Sequence, residues 1–277
     1  MLRYSILDPT GNITALVESP VEITRQPLTA AAIMRRHPEV EQVGFLRSVS
    51  DGDNVRAELR MAGGEFCGNA SMSAAALLLT KGSQSEGEVR LELRVSGAAE
   101  PVSLCLRSEG KNGYLAEIVM PPALGISETA FTFGSLSGTL PLVRMQGISH
   151  LVIESDSVFF ALLKYRPEAE KAVRTFCEAL DADGLGLMFL DGNNTPHRMT
   201  PLVYVPGSGT CFWENSCASG SAAVGMYLAA KTGSAAELSL SEPGGTLRVR
   251  SDPKSGETRL YGRVRVTAQL EIRETEL

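Results

Sequence analysis

The 277-residue chain is 43% hydrophobic and 21% charged, a balance that suits one large or two medium-sized soluble domains with buried cores. Its net charge of −6, with Lys and Arg scattered rather than clustered, argues against nucleic acid or an anionic membrane as the main partner and toward a small molecule. No stretch approaches the roughly 20 apolar residues of a membrane span, and five cysteines without a secretory pattern fit a reducing compartment, so a cytoplasmic protein without a disulfide framework is expected.

In chain order, alternation of apolar and polar residues predicts strands at 2–7 and 13–18, joined by the turn-like Asp8-Pro9-Thr10-Gly11-Asn12. Asn12 thus opens a strand, where its amide could bind an amine or a carboxylate, although Asn is also a routine turn former. Residues 29–36 suit a short helix stopped by Pro38, and strands follow at 41–48 and 55–61 across a turn at 51–54. These lead into Gly63-Gly64-Glu65-Phe66-Cys67-Gly68-Asn69-Ala70. The run 68–80 is apolar nearly all round, which predicts a helix enclosed by other structure with Cys67 at its first turn. Strands at 88–95, 102–107 and 114–119 complete a first half.

The second half repeats the order: strands near 137–145 and 150–154, short helical material at 158–164, an amphipathic helix at 167–180 opened by Pro167, then strands near 185–190 and 197–205. The lead-in Trp213-Glu214-Asn215-Ser216-Cys217 is followed by a helix at 218–231 and by strands near 236–241, 246–251 and 258–272. This ordering predicts a first domain of residues 1–122 carrying Cys67 and a second of 123–264 carrying Cys217, with the last strand, about 265–277, packing back onto the first. Cys105 and Cys177 fall in apolar patterns and read as core filler. Cys211 stands six residues before Cys217, which is no zinc spacing, and no metal site is expected.

An offset of 150 residues that places Cys67 on Cys217 also places Ser71 on Ser221, Leu78 on Leu228 and Lys81 on Lys231. A cysteine at a helix N-terminus meets unpaired N–H groups and the positive end of the helix dipole, which favour thiolate over thiol. Either cysteine alone reads most simply as a small buried residue; two in matched contexts point to chemistry. If the two helix starts faced a small amino acid's α-carbon, one sulfur could remove the α-proton and the other return one to the opposite face. A gap of ten pK units would make that transfer uphill by roughly 14 kcal/mol. Backbone donors at the two helix N-termini, aimed at the substrate carboxylate, could offset about 3–4 kcal/mol each. Gly68, Ala70, Ala218, Ser219 and Gly220 are the small residues that close approach of such a carboxylate requires, with Asn69 a further substrate-binding candidate, and this scheme needs no organic cofactor.

Taken together, Gly11-Asn12, Glu65-Phe66-Cys67-Gly68-Asn69-Ala70, Gly147-Ile148-Ser149-His150, Asn215-Ser216-Cys217-Ala218-Ser219-Gly220 and Pro243-Gly244-Gly245 resemble, in order and over nearly the whole chain, the cofactor-independent diaminopimelate epimerase superfamily. Within it, the stretches around Glu41-Gln42-Val43-Gly44-Phe45 and Trp213-Glu214-Asn215-Ser216-Cys217 are closer to the histidine racemases that supply opine-type metallophore synthesis. The resemblance implies an α/β (α+β) fold of two pseudo-symmetric halves, each a mixed curled sheet or barrel around a central helix. It implies that Cys67 and Cys217 form the acid/base pair and that His150 positions or polarises a thiol. Ile148 replaces the motif's Asn, and Val205-Pro206 stands where diaminopimelate epimerases carry Glu-Arg, so their clamp on a distal amino acid group is lost. Glu41 or Glu214 could then support a thiol, and Phe45, Phe212 or Trp213 could hold a flat side chain. Histidine is the expected substrate, with diaminopimelate or another amino acid as the alternative. A ligand-binding or redox-sensing protein on the same fold is the non-enzyme reading, and the resemblance leaves room for a homodimer.

Overall fold

The structure, a computed structural model, describes residues 1–48, 55–82, 87–192 and 196–273, and it divides into two compact units: Met1–Val119 with Tyr261–Leu277, and Met120–Leu260.

In the first unit, β1 (Leu2–Pro9), β2 (Thr14–Val17), β3 (Gln42–Ser48), β4 (Val55–Met61), β5 (Glu88–Val95), β6 (Val102–Ser108), β7 (Gly113–Met120) and β16 (Thr258–Ile272) pair in that order. Antiparallel pairing of β16 with β1, from Leu2 opposite Ile272 to Pro9 opposite Val264, closes the ring into an eight-stranded barrel. Two pairs are parallel, β2 with β3 and β4 with β5, and each needs a long crossover. The crossovers are α1 (Gln26–Arg36) and α2 (Gly68–Lys81). Helix α2 packs against β1, β2, β3, β5 and β6, and every residue from Gly68 to Leu77 is buried. Small and apolar side chains on all sides of α2 are what an enclosed helix requires. Helix α1 instead covers the opposite face of β1–β3, seating Ala30 and Ile33 on Leu2, Tyr4, Ile6, Val43 and Phe45.

The second unit repeats the plan. Strands β8 (Gly125–Phe133), β9 (Leu136–Arg144), β10 (Ser149–Glu154), β11 (Leu185–Asp191), β12 (His197–Val205), β14 (Ala236–Glu242) and β15 (Gly245–Ser251) pair in that order, and β13 (Thr210–Trp213) adds to β12. The parallel pairs are again two, β10 with β11 and β12 with β14. Their crossovers contain α3 (Arg166–Leu180) and α4 (Ala218–Thr232). Helix α3 packs Ala169, Val173, Phe176 and Cys177 onto β11 and β12, whereas α4 is buried from Ala218 to Tyr227 among β9, β10, β11, β14 and β15. Thus each unit has one outer helix and one enclosed helix, and each enclosed helix follows a cysteine.

Each enclosed helix is also tied at its far end. Lys81, the last residue of α2, is ion-paired with Glu18 just past β2. Lys231 of α4 meets Glu154, the last residue of β10, at 2.8 Å, and Glu154 accepts the Tyr227 hydroxyl at 2.7 Å.

Several details differ from the sequence expectations. Helix α1 begins at Gln26, because Pro27 occupies the first turn, where its missing N–H removes no helical hydrogen bond. Strand β8 was not expected: its residues are mostly exposed on both faces, so the alternation that marks a half-buried strand is absent, and only Phe131 is buried, its ring 4.3 Å from that of Phe176. The short β13 was likewise unexpected. Cys105 is not core filler, since it lies half-buried on the outer face of β6, its thiol 3.8 Å from Glu88 Oε2. The turn expected at 51–54 lies outside the described residues.

Candidate active site

Cys67 is the N-cap of α2, in extended conformation (φ −136°, ψ 112°), and its sulfur accepts the Ala70 N–H at 3.3 Å. The approach is fixed from outside the helix: Ser96 Oγ donates to Glu65 O at 2.8 Å, and Gly97 (φ +72°) lies so close that a Cβ there would stand 2.3 Å from the Phe66 nitrogen. Gly97 therefore has both a conformational and a steric reason to lack a side chain.

The Cys67 thiol donates to Gln42 Oε1 at 2.9 Å. Gln42 can accept there because its amide NH₂ is engaged elsewhere, donating to Asn12 Oδ1 at 2.5 Å and Thr14 Oγ1 at 2.8 Å. Asn12 Oδ1 also accepts from Asn69 Nδ2 at 3.1 Å, while Asn12 Nδ2 donates to Glu41 Oε2 at 2.5 Å. A partly buried chain Glu41–Asn12–Gln42 thus ends at the sulfur. It joins Cys67, Asn12, Asn69 and Glu41, all expected from the sequence, with Gln42 and Thr14, which were not, while Gly68 follows the thiol as the buried first residue of α2. The available signal was strand alternation: Gln42 shares a face of β3 with Gly44, whose Cβ would collide with Leu59 inside the barrel. The same alternation corrects Phe45. It points the other way, into the core under α1, and is a packing residue rather than a neighbour of the thiol.

In the second unit Cys217 caps α4 with matching geometry (φ −131°, ψ 102°), and its sulfur accepts the Gly220 N–H at 3.4 Å. Ser219 Oγ lies 3.6 Å from the sulfur. The Cys217 N–H donates to Glu242 Oε2 at 2.7 Å, and Ser221 Oγ donates to Glu242 Oε1 at 2.6 Å. Glu242 ends β14 and is buried, which pushes its carboxyl up to about 8 against the downward pull of its two donors. Burial, and after it the charges of Glu214 and Glu242, raise the Cys217 thiol well above its ordinary value. Cys217 therefore rests as a thiol. Ala218 is buried behind it.

His150 lies on β10 opposite Gly186 of β11, fully buried, and neither ring nitrogen has a hydrogen-bond partner among the described residues. Burial depresses it to about 3, so the ring is neutral at ordinary pH. A Cβ on Gly186 would stand 2.3 Å from His150 Nδ1 and 2.5 Å from Met188 Cε, and one on Gly220 would stand 2.1 Å from Met188 Sδ. His150, Met188 and the first turn of α4 are thus packed in one stack. Trp213 belongs elsewhere: its indole N–H donates to Glu170 on α3 at 3.0 Å, its ring stacks with Phe189, and the Arg166 guanidinium lies over it at 4.7 Å from the centroid. It is not available to hold a substrate ring. A groove beside α1, lined by Pro20, Val21, Arg25 and Leu28, contains none of these residues.

Comparisons with known proteins agree with this architecture. The family model described as the histidine racemase CntK N-terminal domain matches residues 1–272. A histidine racemase of Fusobacterium nucleatum subsp. nucleatum is 32% identical over 235 residues, covering 82% of this chain and 81% of the relative. One from Staphylococcus aureus is 28% identical over 253 residues, covering 91% and 89%. Among solved structures, a predicted epimerase from Pseudomonas aeruginosa superposes with a TM-score of 0.69 at 16% identity, covering 98% of this chain and 99% of that one. A probable proline racemase from Agrobacterium radiobacter gives 0.67 at 12% identity, covering 99% and 93%. At such identities the structures show a shared fold, and it is the family model together with the two sequence relatives that shows that the chain belongs to the histidine racemase family, as an isomerase of the amino-acid racemase class.

Proposed function

We propose that the protein interconverts L- and D-histidine, with Cys67 and Cys217 serving opposite faces of the α-carbon, one removing the proton and the other returning one. The observation that carries the mechanism is the repetition of a single device: each enclosed helix is capped by a cysteine whose sulfur accepts the N–H three residues on. First-turn N–H groups beside each sulfur suit the substrate carboxylate, whose charge grows as the proton leaves. Histidine as substrate rests on what the relatives are named for, not on an aromatic cage, since Phe45 and Trp213 are committed to the core.

In this reading Glu41 is a positioning residue. It is linked to the sulfur through Asn12 and Gln42, and by accepting from Asn12 Nδ2 it orients the Asn12 amide so that Asn12 Oδ1 faces Gln42. His150 takes part as a neutral imidazole packed beside the first turn of α4, because burial keeps its ring unprotonated down to about pH 3 and it brings no positive charge to the Cys217 side.

Incubation with L-histidine in deuterated water, read by mass spectrometry and chiral chromatography, tests the proposal. Cys67→Ala and Cys217→Ala are each expected to lower kcat/KM for racemisation by at least about a thousandfold while leaving thermal unfolding cooperative. Near-normal racemisation by either variant rules out the two-thiol mechanism. In a panel with diaminopimelate, proline and the common amino acids, a tenfold preference for anything but histidine rules out the substrate and leaves the mechanism standing.

A further inference from the structure

Ser71 and Ser221 occupy equivalent places, four residues beyond each cysteine, yet their hydroxyls do different things. Ser71 Oγ bonds back to Cys67 O at 2.7 Å, whereas Ser221 Oγ donates to Glu242 at 2.6 Å. Glu242 diverts it. The first unit braces the approach to its cysteine with the neutral hydroxyl of Ser96, just past β5, while the second places a carboxyl at the end of β14, directly on the N–H of the cysteine itself. That carboxyl is buried and has no salt bridge among the described residues, so nothing positive offsets its charge when it ionises.

We propose, building on the two-thiol reading, that Glu242 is a positioning residue for Cys217: it fixes the cap through the Cys217 N–H, and its negative charge holds the Cys217 thiol protonated, ready to donate. The groups facing that thiol agree in sign. Glu214 in the lead-in adds a second negative charge, Ser219 and the Gly220 N–H on α4 pull the other way more weakly, and His150 across β10 and β11 is uncharged. Because burial brings Glu242 to about 8, its hold on Cys217 is weak at pH 6 and full at pH 9.

The test compares full-length wild type with Glu242→Gln, which keeps the shape, can still accept the Cys217 N–H, and can donate its amide to Ser221. The rate at which iodoacetamide labels Cys217 is measured by peptide mass spectrometry between pH 6 and 9.5, with Cys67 as internal reference. The variant-to-wild-type ratio at Cys217 is expected near one at pH 6 and about three- to tenfold at pH 9, with no trend at Cys67. A ratio at Cys217 that does not change with pH, whether near one or uniformly raised, overturns the proposal, because a purely structural role loosens the cap equally at all pH values. Ser221→Ala removes a bond that favours the ionised carboxylate, so the inflection that Glu242 gives to Cys217 labelling should move to higher pH; an unmoved inflection also overturns it. Labelling needs no turnover, so a failure here is distinguishable from failure of the two-thiol mechanism, which deuterium incorporation reads separately.

Discussion

Gln42 decides which way the Cys67 proton points. With both amide hydrogens taken by Asn12 and Thr14, only its oxygen remains for the sulfur, and an oxygen acceptor favours thiol over thiolate. The Ala70 N–H, which donates to the same sulfur, pulls the other way. Gln42→Met keeps the volume and removes the amide. We expect it to lower kcat by about ten- to a hundredfold with KM changed less than about threefold, measured by chiral chromatography at saturating histidine. An effect confined to KM would instead make Gln42 a binding residue. At this scale the sequence displayed Asn12, Asn69 and the cysteines through turn and helix-start chemistry. It hid Gln42 behind its charged neighbour Glu41, and it hid Glu242 because 25 residues, including all of α4, separate it from the N–H it holds.

The enclosed helices are legible because nothing else explains an all-round apolar run opened by a cysteine, and both fall within one residue of their expected ends. Strand β8 was illegible for the converse reason, since a strand that buries little on either face leaves no periodicity. Packing around an enclosed helix can also override its intrinsic preferences. Gly225 sits in the interior of α4, where alanine is favoured by about 1 kcal/mol. An alanine Cβ would stand 2.2 Å from Val249 Cγ1 on β15, a buried and stiff β-branched side chain. Overpacking of this kind costs about 1–3 kcal/mol and outweighs propensity. Gly225→Ala is thus expected to lower the melting temperature by a few degrees, and adding Val249→Ala should recover part of the loss. A rise in melting temperature for the single variant would refute the packing argument.

For the molecule as a whole, two buried groups give opposed dependences of stability on pH. His150 is depressed from 6.5 to about 3, so the unfolded chain binds the extra proton and stability falls as pH drops through that window. Glu242 is raised from 4.5 to about 8, so the folded chain binds the extra proton and stability falls as pH rises from 4.5 toward 8. Each contributes a slope of about 1.4 kcal/mol per pH unit inside its window, and between 4.5 and 6.5 the two cancel. Denaturant titrations should therefore show a plateau near pH 5–6 and a decline from 6.5 to 8. In Glu242→Gln the decline should disappear, so that the variant is more stable than wild type at pH 8.5; a decline that survives the substitution would place its origin elsewhere.

The ion pairs at Lys81 and Lys231 give each enclosed helix the character of a pinned lever. Fourteen or fifteen residues at 1.5 Å each put the sulfur roughly 20 Å from the lysine that anchors the other end. A helix that slid by one residue would swing its cap through about 100° and carry the sulfur off its target, and in α4 it would also drive side chains into the space that Gly220 and Gly225 leave for Met188 and Val249. The far-end carboxylates, Glu18 and Glu154, add a second mark of register at the opposite end, so the precision of the thiols is set in part by charges a helix length away from the chemistry.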